Sequence, residues 1–132
     1  MDHTEKNEKN AIKKTIQEYI DGVIERNFSR AEKPWHPEGV KIFVDSNNKL
    51  NKLTMLQSKP KDIEMRDISK PPSLEQSGNI ENIEHTGNAS IAKVKWLEKR
   101  DNKRRVYTDY ISLIKIGKEW KIVSKISYIE NL

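Results

Sequence analysis

The chain contains no cysteine, which excludes disulfides, thiolate catalysis and cysteine-ligated metals. Long apolar runs are missing too. Nothing approaches the roughly 20 residues that a membrane span needs. Histidine occurs three times, and the three are far apart: His3 near the start, His36 between two prolines and His85 at the end of a strand. No three ligands converge, so no metal site is expected, and no cofactor is expected either. A single-signed surface is also lacking. The net charge is +5, yet the lysines are scattered with acids between them. The densest basic group, Lys99, Arg100, Lys103, Arg104 and Arg105, surrounds Asp101-Asn102 and reads as a solvated hairpin tip. Nucleic-acid readout needs a basic face with a recognition helix or stacking platform, so nucleic acid is not an expected partner. A membrane is not one either.

At 132 residues there is enough chain for a real core. Residues 1–10 are polar and lack the apolar stretch of a signal peptide. They read as a tail on one domain spanning 11–132, and a cytoplasmic location is expected.

Residues 11–26 carry Ile12, Ile16, Tyr19, Ile20, Val23 and Ile24 at helical spacing, the pattern of an amphipathic helix. Asn27 is placed to cap a short second helix over 29–33. Pro34 and Pro37 then stop it and bracket Trp35-His36 in a corner. Residues 40–44 read as a strand with a turn at Asp45-Ser46-Asn47-Asn48, and 53–58 as one helical turn. The stretch 59–78 reads as a loop with a short strand around 63–68. Three longer strands follow, over 80–85, 89–97 and 106–116, turning at Gly87-Asn88 and Asp101-Asn102.

The last quarter carries the most information. Two strands rich in β-branched and aromatic residues flank a tight Gly117-Lys118 turn. Plain alternation pairs Ile116 with Glu119, Leu113 with Ile122, Ile111 with Ser124 and Asp109 with Ile126. One face then holds Tyr107, Asp109, Ile111, Leu113, Trp120, Ile122, Ile126 and Tyr128. The Asp101-Asn102 turn adds Ala92, Val94 and Trp96 to that face, with Val94 opposite Asp109. The other face holds Thr108, Tyr110, Ser112, Ile114, Ile116, Val123 and Lys125. It is half apolar, which suggests a subunit interface and a homodimer. Helices first and an antiparallel meander after give an α+β fold.

In order, Tyr19-Ile20-Asp21-Gly22, Trp35-His36-Pro37 and Asp109-Tyr110-Ile111-Ser112-Leu113 make the chain resemble the putative lumazine-binding family. That family lies within the nuclear-transport-factor-2-like superfamily. The resemblance runs over about 11–128 and implies a cone-shaped α+β domain, N-terminal helices on a curved, mainly antiparallel sheet. It also implies a pocket at the open end and dimerisation through the sheet. The superfamily includes ketosteroid isomerase, scytalone dehydratase and polyketide cyclases as well as members without known activity.

Asp109 is the one acid on the apolar face, and a carboxylate there is expensive to bury without a partner. It is either a ligand anchor or general base, or a structural acceptor for Tyr19, Trp35 or a backbone amide. His36 suits proton transfer near neutral pH and is the expected partner of Asp109 if there is catalysis. Trp35, Trp96 and Tyr107, with Trp120 and Tyr128, are candidates for an aromatic pocket, and the Tyr19 hydroxyl needs a partner when buried. The expected ligand site is therefore Tyr19, Trp35, His36, Trp96, Tyr107 and Asp109, holding a small apolar or aromatic molecule. The alternatives are a cofactor-independent isomerase, dehydratase or cyclase using Asp109 and His36, or a structural role without a ligand. Ser112 and Ser124 have no base and acid ordered around them, so nucleophilic catalysis is not indicated.

Overall fold

A computed structural model describes residues 3–58 and 74–132. Helix α1 runs His3–Ile24 and α2 Phe28–Glu32, followed by strands β1 (Trp35–Val44) and β2 (Leu50–Thr54) and the short helix α3 (Met55–Ser58). Four long strands complete the chain: β3 (Leu74–Thr86), β4 (Ala89–Arg100), β5 (Lys103–Ile116) and β6 (Glu119–Asn131). They form one curved six-stranded sheet in the order β2-β1-β6-β5-β4-β3. All neighbours are antiparallel except β1 and β6, which run parallel.

The apolar stripe of α1 buries Ile12, Ile16, Tyr19 and Ile20 against Ile83, Ala92, Val94, Trp96, Ile111, Leu113, Trp120 and Ile122. The helix starts at His3, inside the stretch expected to be a tail. Tertiary contacts explain this. Glu8 takes hydrogen bonds from Lys115 Nζ (2.6 Å) and Trp120 Nε1 (3.2 Å), which tie the polar first turns to the sheet. The Lys115 contact above all holds the Glu8 carboxyl below its usual range.

Gly22 lets α2 fold back on α1. A Cβ there would lie 2.5 Å from the Ala31 backbone nitrogen, and backbone cannot yield that space. Asn27 caps α2 as expected, its side chain accepting from Arg30 N. The Arg30 guanidinium then bonds Glu18, Asp21 and Glu25.

Other boundaries also differ from the sequence reading: β4 runs on to Arg100 and β5 starts from Lys103, around their turn. The Trp35-His36-Pro37 corner is already strand, because the residue before a proline prefers extended backbone. Pro37 has no N–H for the ladder, and pairing with β6 is irregular between Trp35 and Val40. Leu53 and Thr54 pair with Lys41 and Val40 in β2, so the helical turn begins only at Met55. Strand β3 starts at Leu74, since 74–78 pair with the outer end of β4. The short strand expected around 63–68 lies outside the described residues.

The turns of the last three hairpins fall where the sequence puts them, each led by a residue with left-handed φ: Gly87 (58°), Asp101 (54°) and Gly117 (63°). Val94 faces Asp109 and Trp96 faces Tyr107. Ile116 faces Glu119 and Leu113 faces Ile122, but there the plain alternation stops. Ser112 pairs with Ser124, so Val123 is an extra residue in β6 and the register beyond it moves by one. Asp109 therefore faces Ser127 rather than Ile126, and Ile111 faces Lys125 rather than Ser124. A one-residue slip turns every later side chain over. Ile126 and Tyr128 are 52% and 65% exposed on the outer face, and Lys125 points inward instead of outward.

Candidate ligand-binding site

Beyond the bulge, the inner face gathers an unusual group. Asp109, from the middle of β5, is 1% exposed. Its Oδ2 accepts a hydrogen bond from Trp96 Nε1 at 2.8 Å on β4. Its Oδ1 is buried and has no hydrogen-bond partner. Lys125 Nζ lies 3.7 Å from Oδ2 and donates to the Tyr19 hydroxyl at 2.9 Å. Burial pulls the Lys125 ammonium down, but Tyr19 and the Asp109 charge outweigh it and hold its pKa above the ordinary lysine value. Lys125 is thus a cation at neutral pH.

Lys41 is Lys125's neighbour in register on β1. Its ammonium lies 5.6 Å from the centre of the Trp35 ring. Burial first, and then repulsion by Lys125, bring its pKa down to about 8, with Asp109 opposing the fall. Two lysines therefore share one carboxylate in a partly dry environment, where charge interactions are stronger than in water.

Asp109 and Lys125, but not Lys41, border a cavity of about 150 Å³ whose lining also includes Tyr19, Gln76, Trp96, Glu98 and Tyr107. Tyr19 packs edge-on against Trp35 (centroids 5.6 Å apart) and Trp96 (6.2 Å). The helix motif Tyr19-Ile20-Asp21-Gly22 now has a physical reading. Tyr19 enters the site, Ile20 enters the core, Asp21 meets Arg30, and Gly22 admits α2.

Four of the six expected ligand residues, Tyr19, Trp96, Tyr107 and Asp109, thus border one cavity. Trp35 and His36 line another, a cleft of about 920 Å³ between α2, β1 and α3. Trp35 reaches the Asp109 cavity only through its packing on Tyr19. His36 does not meet Asp109. The two line different clefts. The His36 Nδ1 instead accepts from the Glu38 backbone N–H at 3.0 Å. The acceptor role of Asp109 is met by Trp96, and neither Tyr19 nor Trp35 supplies that hydrogen bond. Trp120 is taken up by Glu8, and Tyr128 is outside the site.

The sequence reading missed Lys125, Lys41 and Gln76. Lys125 reads as an outer-face residue unless the bulge at Val123 is known. Lys41 lies in the strand expected over 40–44, where nothing in the sequence marks it out. Gln76 lay within the presumed loop.

The smaller cavity is the stronger candidate, because it joins a buried carboxylate, a cation whose side chain is 17% exposed and an unpartnered acceptor. The larger cleft holds Arg26, Lys33 and Glu32 at its edge but no comparable buried charge.

A long helix on a curved, mostly antiparallel sheet, with polar groups enclosed between them, is the NTF2-like α+β fold. The chain belongs to the family described as "Putative lumazine-binding", whose pattern matches residues 7–128. Among solved structures it is similar to an NTF2-like protein of unknown function from Shewanella baltica. That match has 22% identity and a TM-score of 0.77, and covers 98% of each chain. A ketosteroid isomerase-like protein from Erwinia carotovora atroseptica is 8% identical, with a TM-score of 0.63 over 89% of this chain and 92% of its own. A type 2 hexachlorocyclohexane dehydrochlorinase is 14% identical, with a TM-score of 0.60 over 96% and 89%. At these identities the likeness speaks for the fold alone. No curated protein matches the chain. No helix among the described residues is long and apolar enough to cross a membrane.

Proposed function

We infer that this is a small-molecule-binding domain whose ligand sits between α1 and the sheet, at Asp109. One observation carries the reading: Asp109 uses one carboxylate oxygen to hold Trp96 and keeps the other buried without a partner. A purely structural carboxylate normally has its buried acceptors met. Aromatic walls from Tyr19, Trp96 and Tyr107 suit a flat, largely apolar molecule. The family description points the same way, toward a small ligand. An isomerase-type reaction run by Asp109 with His36 is disfavoured, because the two line different clefts. The fold by itself does not decide between binding and catalysis.

Native mass spectrometry of the purified protein should reveal a small molecule released on denaturation. Its affinity should fall at least tenfold in Asp109→Asn while the far-ultraviolet circular dichroism is kept. An Asp109→Asn protein that melts far lower yet binds as before would make Asp109 scaffolding.

The outer sheet face supports homodimerisation. Tyr110 is 44% exposed, and it pairs with the exposed Ile126, beside Tyr128 and Ile91. The bulge removes Lys125 from this face and adds two large apolar side chains to it. Light scattering that returns a monomer mass at every concentration would remove the dimer.

A further inference from the structure

Two buried acceptors belong to residues that line the Asp109 cavity and have no donor: Asp109 Oδ1 and Gln76 Oε1. Neither orientation is free to change. Trp96 Nε1–H occupies Asp109 Oδ2. The Glu98 carboxylate, an obligate acceptor, draws Gln76 Nε2 to 3.2 Å and leaves the Gln76 carbonyl oxygen to be met elsewhere. A ligand that offers donors meets both oxygens, whereas one without donors leaves them unmet, at a cost in affinity. The lining carries the Lys125 ammonium together with the carboxylates of Asp109 and Glu98, so charge alone excludes neither a neutral nor a cationic ligand. Size sets a second condition, since a cavity of about 150 Å³ holds one six-membered ring.

We propose that the cavity selects a single-ring ligand with paired N–H donors, of the primary amide or urea class, which it holds by Asp109 Oδ1 and Gln76 Oε1. The proposal rests on the binding reading above and adds the chemistry of the ligand.

Benzamide and acetophenone separate donor chemistry from shape. Acetophenone replaces the amide NH₂ with a methyl group of similar shape. Each is titrated into ¹⁵N-labelled protein while the Trp96 indole N–H, which rests on Asp109, is followed. Benzamide should bind at least tenfold more tightly than acetophenone. In Asp109→Asn the side-chain carbonyl must remain on the Trp96 N–H, which puts an NH₂ where Oδ1 was. The order should then reverse in favour of acetophenone.

Equal binding of benzamide and acetophenone, or an unchanged order in Asp109→Asn, overturns the donor requirement while leaving the cavity a binding site. If neither compound moves the Trp96 signal, the binding reading itself fails, and the proposal with it. Should Asp109→Asn not fold, Gln76→Leu removes the second acceptor and must narrow the benzamide preference; an unchanged preference there also overturns the proposal.

Discussion

The two halves of β6 obey different rules. Up to Ile122 the strand alternates as an amphipathic strand should, with Trp120 and Ile122 buried and Lys121 partly exposed. From Ser124 on the alternation is inverted, and Lys125 lies inside while Ile126 and Tyr128 lie outside. One extra residue, Val123, separates the two regimes. The first half makes core. The second gives up apolar burial to bring an ammonium to Asp109. A local rule broken at a measurable cost is what a site, rather than packing, predicts.

The sharpest way to break this comparison is to truncate an isoleucine on each side of the bulge. Ile122 is fully buried, so Ile122→Ala should cost about 2–5 kcal/mol in urea unfolding. Ile126→Ala should leave the unfolding free energy of the monomer within about 0.5 kcal/mol and weaken only the association of two copies. Equal losses at the two positions would mean that plain alternation holds throughout and that Lys125 is not an inner residue.

A second test sharpens the charge side of the comparison. Lys41 has its pKa lowered from 10.5 to about 8, so the native state binds fewer protons than the unfolded chain between about pH 8 and 10.5. Stability contributed by this residue therefore rises with pH across that window, and the burden is fully present below pH 8. The full shift corresponds to on the order of 3 kcal/mol. Lys41→Met should accordingly be more stable than the parent at pH 7, with the advantage shrinking as pH rises toward 10. A constant difference across that range would show that Lys41 titrates alike in the two states.

Much of the fold was legible because it follows from short-range pattern. The helical spacing from Ile12 to Ile24, the Asn27 cap and the three turns all come from local chemistry, and each stands where expected. The pairing of Asp109 with Val94 followed from turn position alone. What the pattern could not reveal depends on partners distant in sequence. Glu8 extends α1 because Lys115 and Trp120 wait on the sheet. Trp35 begins a strand because β6, the last strand of the chain, lies beside it. The bulge was the costliest omission: the residues around Val123 carry no glycine or proline to mark it, and placing Ile126 inward is the better hydrophobic guess. The site was therefore half legible, with its aromatic and acidic members readable and its lysines hidden by a register shift.

The smallest effect tests the ion pair itself. Lys125→Met removes the cation nearest Asp109 but keeps the length and packing of the side chain. Losing one partner of a tight buried pair costs about 3–5 kcal/mol. At 3.7 Å, with Asp109 still held by Trp96, the loss here should be lower, about 1–2 kcal/mol. Asp109→Asn alone removes the charge from the other side and leaves Lys125 buried beside a neutral amide and Tyr19. If the two residues act as a pair, the double variant should lose less than the sum of the single variants by about 1 kcal/mol, measured by denaturant unfolding in a double-mutant cycle. Strict additivity would mean that Lys125 is held inside by Tyr19 alone. The inversion of β6 would then serve the Tyr19 contact rather than the charge at Asp109.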